Sequence, residues 1–283
     1  MLDRRSLIRS AACAAAAAAM PGRVLGAGDT QPVWQNLFDG RSLDGWSLFQ
    51  LGSGEHDRYD AVMVEQGMLH FLGPKFHGPD EAAMGHIATL QPWSNYHLRV
   101  DYRWGERRIA PRGLQRRNSG ILYHLAPDRD ILFPDGIEFQ VEETDVGDAI
   151  TINNRALAGP LLGGTPLWPG WIPGMPRTYE APLSAGGIAR QWFRHAGQFE
   201  RLEGWNTLDL IAFDDCAAHL VNGRIVQTLF GMVGRTRADG TSPPLTGGRI
   251  ALEFEAAEIW FRNVNIRPLK GAALAAIKSG QPL

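Results

Sequence analysis

The chain has 283 residues, of which 44% are hydrophobic and 20% charged, and a formal net charge of -2. That is enough for one large β domain or two small ones. The near-neutral balance, with no block of like charges, gives no electrostatic footprint for nucleic acid or an anionic membrane surface.

Residues 1–28, "MLDRRSLIRSAACAAAAAAMPGRVLGAG", begin basic, continue as an apolar alanine-rich run and end on small residues. This pattern predicts an export signal, and Arg4 and Arg5 before Ser6 and Leu7 make it twin-arginine-like. It implies a periplasmic or extracellular protein with no membrane span after signal removal. Cleavage would leave Cys216 alone, so no intramolecular disulfide could form even in an oxidising compartment.

From residue 33 onward, short apolar or alternating runs are broken by Gly, Pro, Asn and Asp, which predicts an all-β sandwich or barrel in a single domain over 29–270. "VMVEQGMLHFL" reads as a hairpin about Gln66 and Gly67. In "YHLRVDYRW", Tyr96, Leu98, Val100, Tyr102 and Trp104 share one side of a strand. In "RRNSGILYHL" the same alternation puts Asn118, Leu122 and His124 on one face. "GIEFQVE" buries Ile137, Phe139 and Val141 and leaves Glu138, Gln140 and Glu142 in a row on the other. "AAHLVNGRIVQTL" is a hairpin about Asn222 and Gly223, a pair suited to the positive φ of a type I′ turn. "GRIALEF" and "EIWFRNVNIRPL" read as late strands, and 271–280 is the one helix candidate, within a C-terminal tail of 271–283. Two long segments, 159–177 and 231–247, do not read as strands. The first carries Trp168 and Trp171, which could offer apolar faces to a sugar or simply pack the loop.

No HExxH, CxxC, G-x-S-x-G, Walker or GxGxxG pattern occurs in proper context. What remains is carboxylate, amide and imidazole chemistry on a sheet face. Glu138-x-Gln140-x-Glu142 is one substitution from the E-x-D-x-E of sandwich-fold glycosidases, whose two glutamates act as nucleophile and acid/base. Gln140 cannot share a proton as an Asp would, so retaining hydrolysis stands only as an alternative. A solvated strand face is the bland alternative for the glutamates, and a structural role is the bland alternative for His124 and His219.

"NLFDGRSLDGW", "YRWGERRIAPR", "RNSGILYH", "IEFQVEETDVGD", "GWNTLDLI", "HLVNGRIV" and "PLTGGRIALEFEAAEIWFRNVNIRPL" follow one another in the order typical of the 3-keto-disaccharide hydrolase domain family, which the chain resembles from about Val33 to Leu269. The resemblance implies a concanavalin A-like jelly-roll β-sandwich. It also implies a carbohydrate substrate, a glucoside already oxidised to a ketone at C3, cleaved by hydrolysis or by elimination and hydration, with a divalent metal ion as a possible cofactor. A C3 ketone acidifies the C2 hydrogen, so a carboxylate or imidazole can remove it without a covalent nucleophile. On this reading Glu138 is the first candidate for the base and Glu142 for its proton-transfer partner or a metal ligand, with His124 and His219 next. Arg117, Asn118, Gln140, Trp104, Trp168, Trp171 and Arg262 are candidates for holding the sugar. Asp145 and Asp148, in the "DVGD" corner, are candidate oxygen ligands for a hard cation, or an Asx-stabilised turn. Where many relatives read "LQSEGAE" this chain has "LEFEAAE": Glu253, Phe254 and Ala256 depart, while Glu255, Glu258 and Arg262 are kept. A non-catalytic carbohydrate-binding module is a further alternative, because fold does not fix function.

Overall fold

The computed structural model describes residues 33–127, 131–172 and 174–281. The expected export signal over 1–28 lies outside them. Strands dominate, and they pair antiparallel in two nine-stranded sheets. The first sheet runs, in spatial order, through Leu183–Ala185, Ile188–Phe193, Ala149–Ile152, Gly136–Glu142, Asn118–Leu125, Gly247–Glu255, Met84–Thr89 and Trp46–Gln50. The second runs through Arg155–Ala158, Arg224–Val233, Cys216–Val221, Asn206–Phe213, Tyr96–Arg108, Ala257–Pro268, Met68–Phe71 and Val62–Glu65. Short segments Gln35–Asn36 and Trp93–Ser94 complete them at Ala257–Pro268 and Gly247–Glu255. The chain is the expected β-sandwich.

Period-two alternation sends one set of side chains from each sheet into a common core. Ile137, Phe139 and Val141 of the first sheet join Tyr96, Leu98, Val100, Tyr102 and Trp104 of the second in one buried cluster. Gln66, Gly67, Asn222 and Gly223 all have positive φ, as the two hairpins require. Such turns match the right-handed twist of the strands they join. Of the two long segments, 159–177 contains the two-residue strands Leu161–Leu162 and Thr165–Pro166 and a short turn of 3-10 helix at Pro169–Trp171. The start of 231–247 belongs instead to the strand Arg224–Val233.

The helix Gly271–Lys278 packs onto the outer face of the second sheet, where Ile277 and Leu274 meet Ile211, Phe213 and Trp168. Trp168 and Trp171 donate their indole N–H groups to the carbonyls of Ile277 and Ser279 at 2.7 and 2.8 Å. The helix and the residue that follows it therefore pack against the sandwich. The two tryptophans anchor the helix, and this is the packing alternative for them.

Candidate active site

The strand ladder decides which side chains share a surface. Gly136–Glu142 pairs with Asn118–Leu125 so that Glu142 faces Asn118, Gln140 faces Gly120 and Glu138 faces Leu122. Asn118–Leu125 in turn pairs with Gly247–Glu255, placing Glu255 beside Asn118 and Ala251 beside Leu122. Glu253 therefore lies opposite Gly120, with His86 on its other flank. Since Ile137, Phe139, Leu252 and Phe254 point into the core, Glu138, Gln140, Glu142, Glu253 and Glu255 all project from the outer face of the first sheet.

This face is covered. Glu138, Gln140, Glu253 and Glu255 are 6%, 3%, 1% and 6% exposed. Arg112, from a short 3-10 turn at Arg112–Leu114, spans two of the acids, donating to Glu142 at 3.3 Å and to Glu255 at 3.1 Å. Asn118 donates its side-chain amide to the same Glu255 oxygen. Further along the face, Phe133 and Ile188 pack on an apolar floor of Ala88, Leu122, Ile152 and Ala251.

Gly120 is the notch that lets two carboxylates meet. A Cβ on Gly120 would lie 2.5 Å from Glu253 Oε2 and 2.9 Å from Glu138 Oε1. The two oxygens are therefore separated by no more than the sum of those distances, close to the roughly 5 Å at which paired carboxylates cooperate in glycosidases. Neither Glu253 oxygen has a hydrogen-bond partner among the described residues, and the Gln140 Oε1 atom is also unpaired there.

Burial raises the pKa of Glu138 well above the ordinary glutamate value, and the charge of Glu255 raises it further. For Glu253 burial acts first and Glu138 next, again well upward. Glu255 is also raised by burial, against the opposing pull of Arg112 and Asn118. Arg190, on the same face, pulls all three downward. Like charges this close in a low-dielectric site disfavour ionising together, so the cluster holds its protons more tightly than isolated glutamates do. The arrangement can hold a proton on one carboxyl and a charge on its neighbour, the condition for combined acid and base catalysis.

The remaining expected site residues go elsewhere. His124 does not continue the alternation of Asn118 and Leu122: its φ is +54°, and the neighbouring ladder shifts register between Arg249 and Ala251. Its ring lies edge-on to Tyr96 and Tyr123, and burial lowers its pKa to about 3. His219 sits between the sheets, stacked on Phe139 at 4.1 Å and bonded to Tyr123 and the Gly147 carbonyl. Burial holds its pKa down to about 4. Trp104 is also in the core, with its N–H on Glu200 and the Arg117 guanidinium over its ring. Arg117 is engaged with Glu143 through two nitrogens. Arg262 lies on the outer face of the second sheet, over Trp205 and near Asp101.

Asp145 and Asp148 do not fit a cation. Asp148 is fully buried and accepts from the His195 backbone and ring, the Trp192 indole and Arg194, while Asp145 pairs with Arg116 and Arg194. Burial opposes ionisation of Asp148, but the His195 and Trp192 donors outweigh it and hold the pKa low. Among the described residues no group of three or more His, Cys, Asp or Glu side chains is arranged to hold a metal ion.

The alternation in "LEFE" carries Glu253 and Glu255 onto one face by the same logic as Glu138 and Glu142, but only the interstrand register brings the two pairs together. Arg112 had no comparable signal.

Residues 33–267 match the profile of the family described as the 3-keto-alpha-glucoside-1,2-lyase-like domain. No curated protein matches the chain. Among solved structures, a candidate glycosyl hydrolase from Parabacteroides distasonis ATCC 8503 is similar at 18% identity and a TM-score of 0.48, over 84% of this chain and 94% of that one. The carbohydrate-binding module CBM66 from Bacillus subtilis is similar at 10% identity and a TM-score of 0.44, over 79% and 95%. A Bacillus licheniformis β-glucanase is similar at 9% identity and a TM-score of 0.45, over 86% and 100%.

Proposed function

Because this chain belongs to the 3-keto-alpha-glucoside-1,2-lyase-like family, we propose that it cleaves 3-keto-glycosides by removing the C2 proton beside the C3 ketone. The observation that carries this reading is the meeting of Glu138 and Glu253 over Gly120. With one proton between them, the ionised partner is the base and the protonated partner the acid. Glu138 is assigned as base and Glu253 as acid, since Glu253 is without a hydrogen-bond partner among the described residues.

The C2–H electron pair moves into the ring as an enolate, with its charge on the C3 oxygen. Arg190, a cation on the same sheet face, is assigned to hold that oxygen. The C1–O bond then breaks, and the departing oxygen takes the proton from Glu253. The products are an unsaturated keto sugar and a free alcohol or sugar, and addition of water to the former completes a net hydrolysis. Gln140, with an unpaired amide oxygen, accepts from a substrate hydroxyl. The Arg112 contact orients Glu255 and opposes the burial that raises its pKa. No step requires a covalent glycosyl-enzyme, so an amide at position 140 is compatible with the chemistry.

The test is proton NMR in deuterated water with a 3-keto-disaccharide beside its unoxidised parent. Cleavage of the keto sugar alone, with deuterium entering at C2, is expected. Glu138→Gln and Glu253→Gln should each lower kcat by about 100-fold or more while leaving ligand binding in place. Binding without cleavage would instead favour a carbohydrate-binding module, and cleavage of the unoxidised parent would favour a conventional glycosidase.

A further inference from the structure

The carboxylate-bearing face also carries a large aromatic. Trp192 lies opposite Ile150, and Ile150 lies opposite Glu138, so the three side chains share one surface. Two interstrand steps put the Trp192 and Glu138 backbones about 10 Å apart, a span that suits two joined pyranose rings.

Trp192 is 48% exposed, yet its orientation is fixed. Its indole N–H donates to the buried Asp148 carboxylate at 2.6 Å, and the Arg194 guanidinium lies 4.8 Å from its ring centroid. Asp148 is itself locked by the His195 backbone and ring at 2.7 and 2.6 Å. An aromatic held rigidly by its edge and left half in solvent is a preorganised platform, because little side-chain entropy is lost when something stacks on it.

Trp192 also borders a cavity of 530 Å³, which it shares with Arg190, Leu183, Met175, Pro176 and Glu180 and which falls within the roughly 300–1,000 Å³ of small-ligand sites. Arg190 lines this cavity and lies on the same sheet face as the acids. It follows the same alternation as Trp192, pairs with Ile152 across the ladder and acts electrostatically on Glu138, Glu253 and Glu255. The keto ring must sit at the Glu138–Glu253 pair, so the next ring extends over Arg190 toward the indole.

We infer that Trp192, with Arg190 and the adjoining cavity, forms the subsite for the second pyranose ring of the substrate, the ring that departs when the C1–O bond breaks. The C–H face of that ring stacks on the indole, and its hydroxyls meet Arg190 and Glu180. This inference rests on the proposed catalytic reading.

The experiment compares kcat/KM of the full chain for a 3-keto-disaccharide and for the methyl 3-keto-glucoside, which lacks a second ring. Trp192→Ala should lower the disaccharide value about 10-fold or more and leave the methyl glucoside value within about two-fold. Trp192→Leu, which keeps bulk without a π face, should do the same and serves if the alanine variant does not fold. Equal losses on both substrates, or no loss on either, would overturn the subsite. If the wild-type chain cleaves neither keto sugar, the catalytic reading fails by itself. Calorimetric titration with an unoxidised disaccharide and methyl glucoside then decides the subsite. A disaccharide preference in the wild type that Trp192→Leu abolishes upholds it, and the absence of any preference overturns it.

Discussion

Gly120→Ala is the most discriminating single change at the acid pair. The added Cβ would fall 2.5 Å from Glu253 Oε2 and 2.9 Å from Glu138 Oε1. A carbon and an oxygen normally keep about 3.3 Å apart, so the first oxygen must retreat by about 0.8 Å and the second by about 0.4 Å. Both atoms are ends of flexible side chains, and the Gly120 backbone is outside the left-handed region. The fold should therefore tolerate the methyl group: overpacking costs about 1 kcal/mol at the low end of its range, and the restricted unfolded chain offsets part of that. Catalysis should not tolerate it, since a displacement near 1 Å can cost about 100-fold. The expected result is a drop of about 100-fold in kcat/KM on a 3-keto-disaccharide, with urea unfolding shifted by less than about 2 kcal/mol. A variant with activity within about three-fold of wild type would refute the pairing of Glu138 and Glu253 as base and acid.

Glu253→Gln should stabilise the protein more at pH 8 than at pH 4. Burial and Glu138 raise the native pKa of Glu253, whereas the unfolded chain ionises it near about 4.3, so stability is lost as pH rises above that value; equal gains at both pH values in urea titrations would contradict the assignment. Asp148→Asn should cost about 3 kcal/mol at pH 7 by unpairing His195 and Arg194. The lowered pKa of Asp148 means that its contribution is present above the unfolded value and disappears as pH falls through the native one, so a variant equally destabilised at pH 7 and pH 2 would refute it. His219→Phe should leave kcat/KM within about two-fold and cost about 1 kcal/mol, from its bonds to Tyr123 and Gly147. A loss of about 100-fold would return His219 to the catalytic machinery.

The sandwich was legible because half-buried strands write their period into the sequence, and the Glu138, Gln140, Glu142 row was legible for the same reason. The partnership of Glu138 with Glu253 was not. It depends on the placement of Asn118–Leu125 between two strands more than 100 residues apart in sequence, and alternation within one strand does not encode its neighbours. His124 misled because a single left-handed residue resets the alternation. Trp168 and Trp171 left a choice between sugar and packing that only the docked helix decides. Arg112 sits in a turn whose direction no periodicity specifies.

The two tryptophan clasps on the C-terminal helix bear on the order of assembly during synthesis. The partners of Trp168 and Trp171 are the carbonyls of Ile277 and Ser279, and the Gly170 notch closes directly on Lys278, since a Cβ there would meet the Lys278 carbonyl oxygen. A nascent chain reaches Trp171 long before it reaches Ile277. The contacts of Trp168, Gly170 and Trp171 must therefore wait until Ile277, Lys278 and Ser279 have been made, so this docking lags well behind the synthesis of the tryptophans themselves.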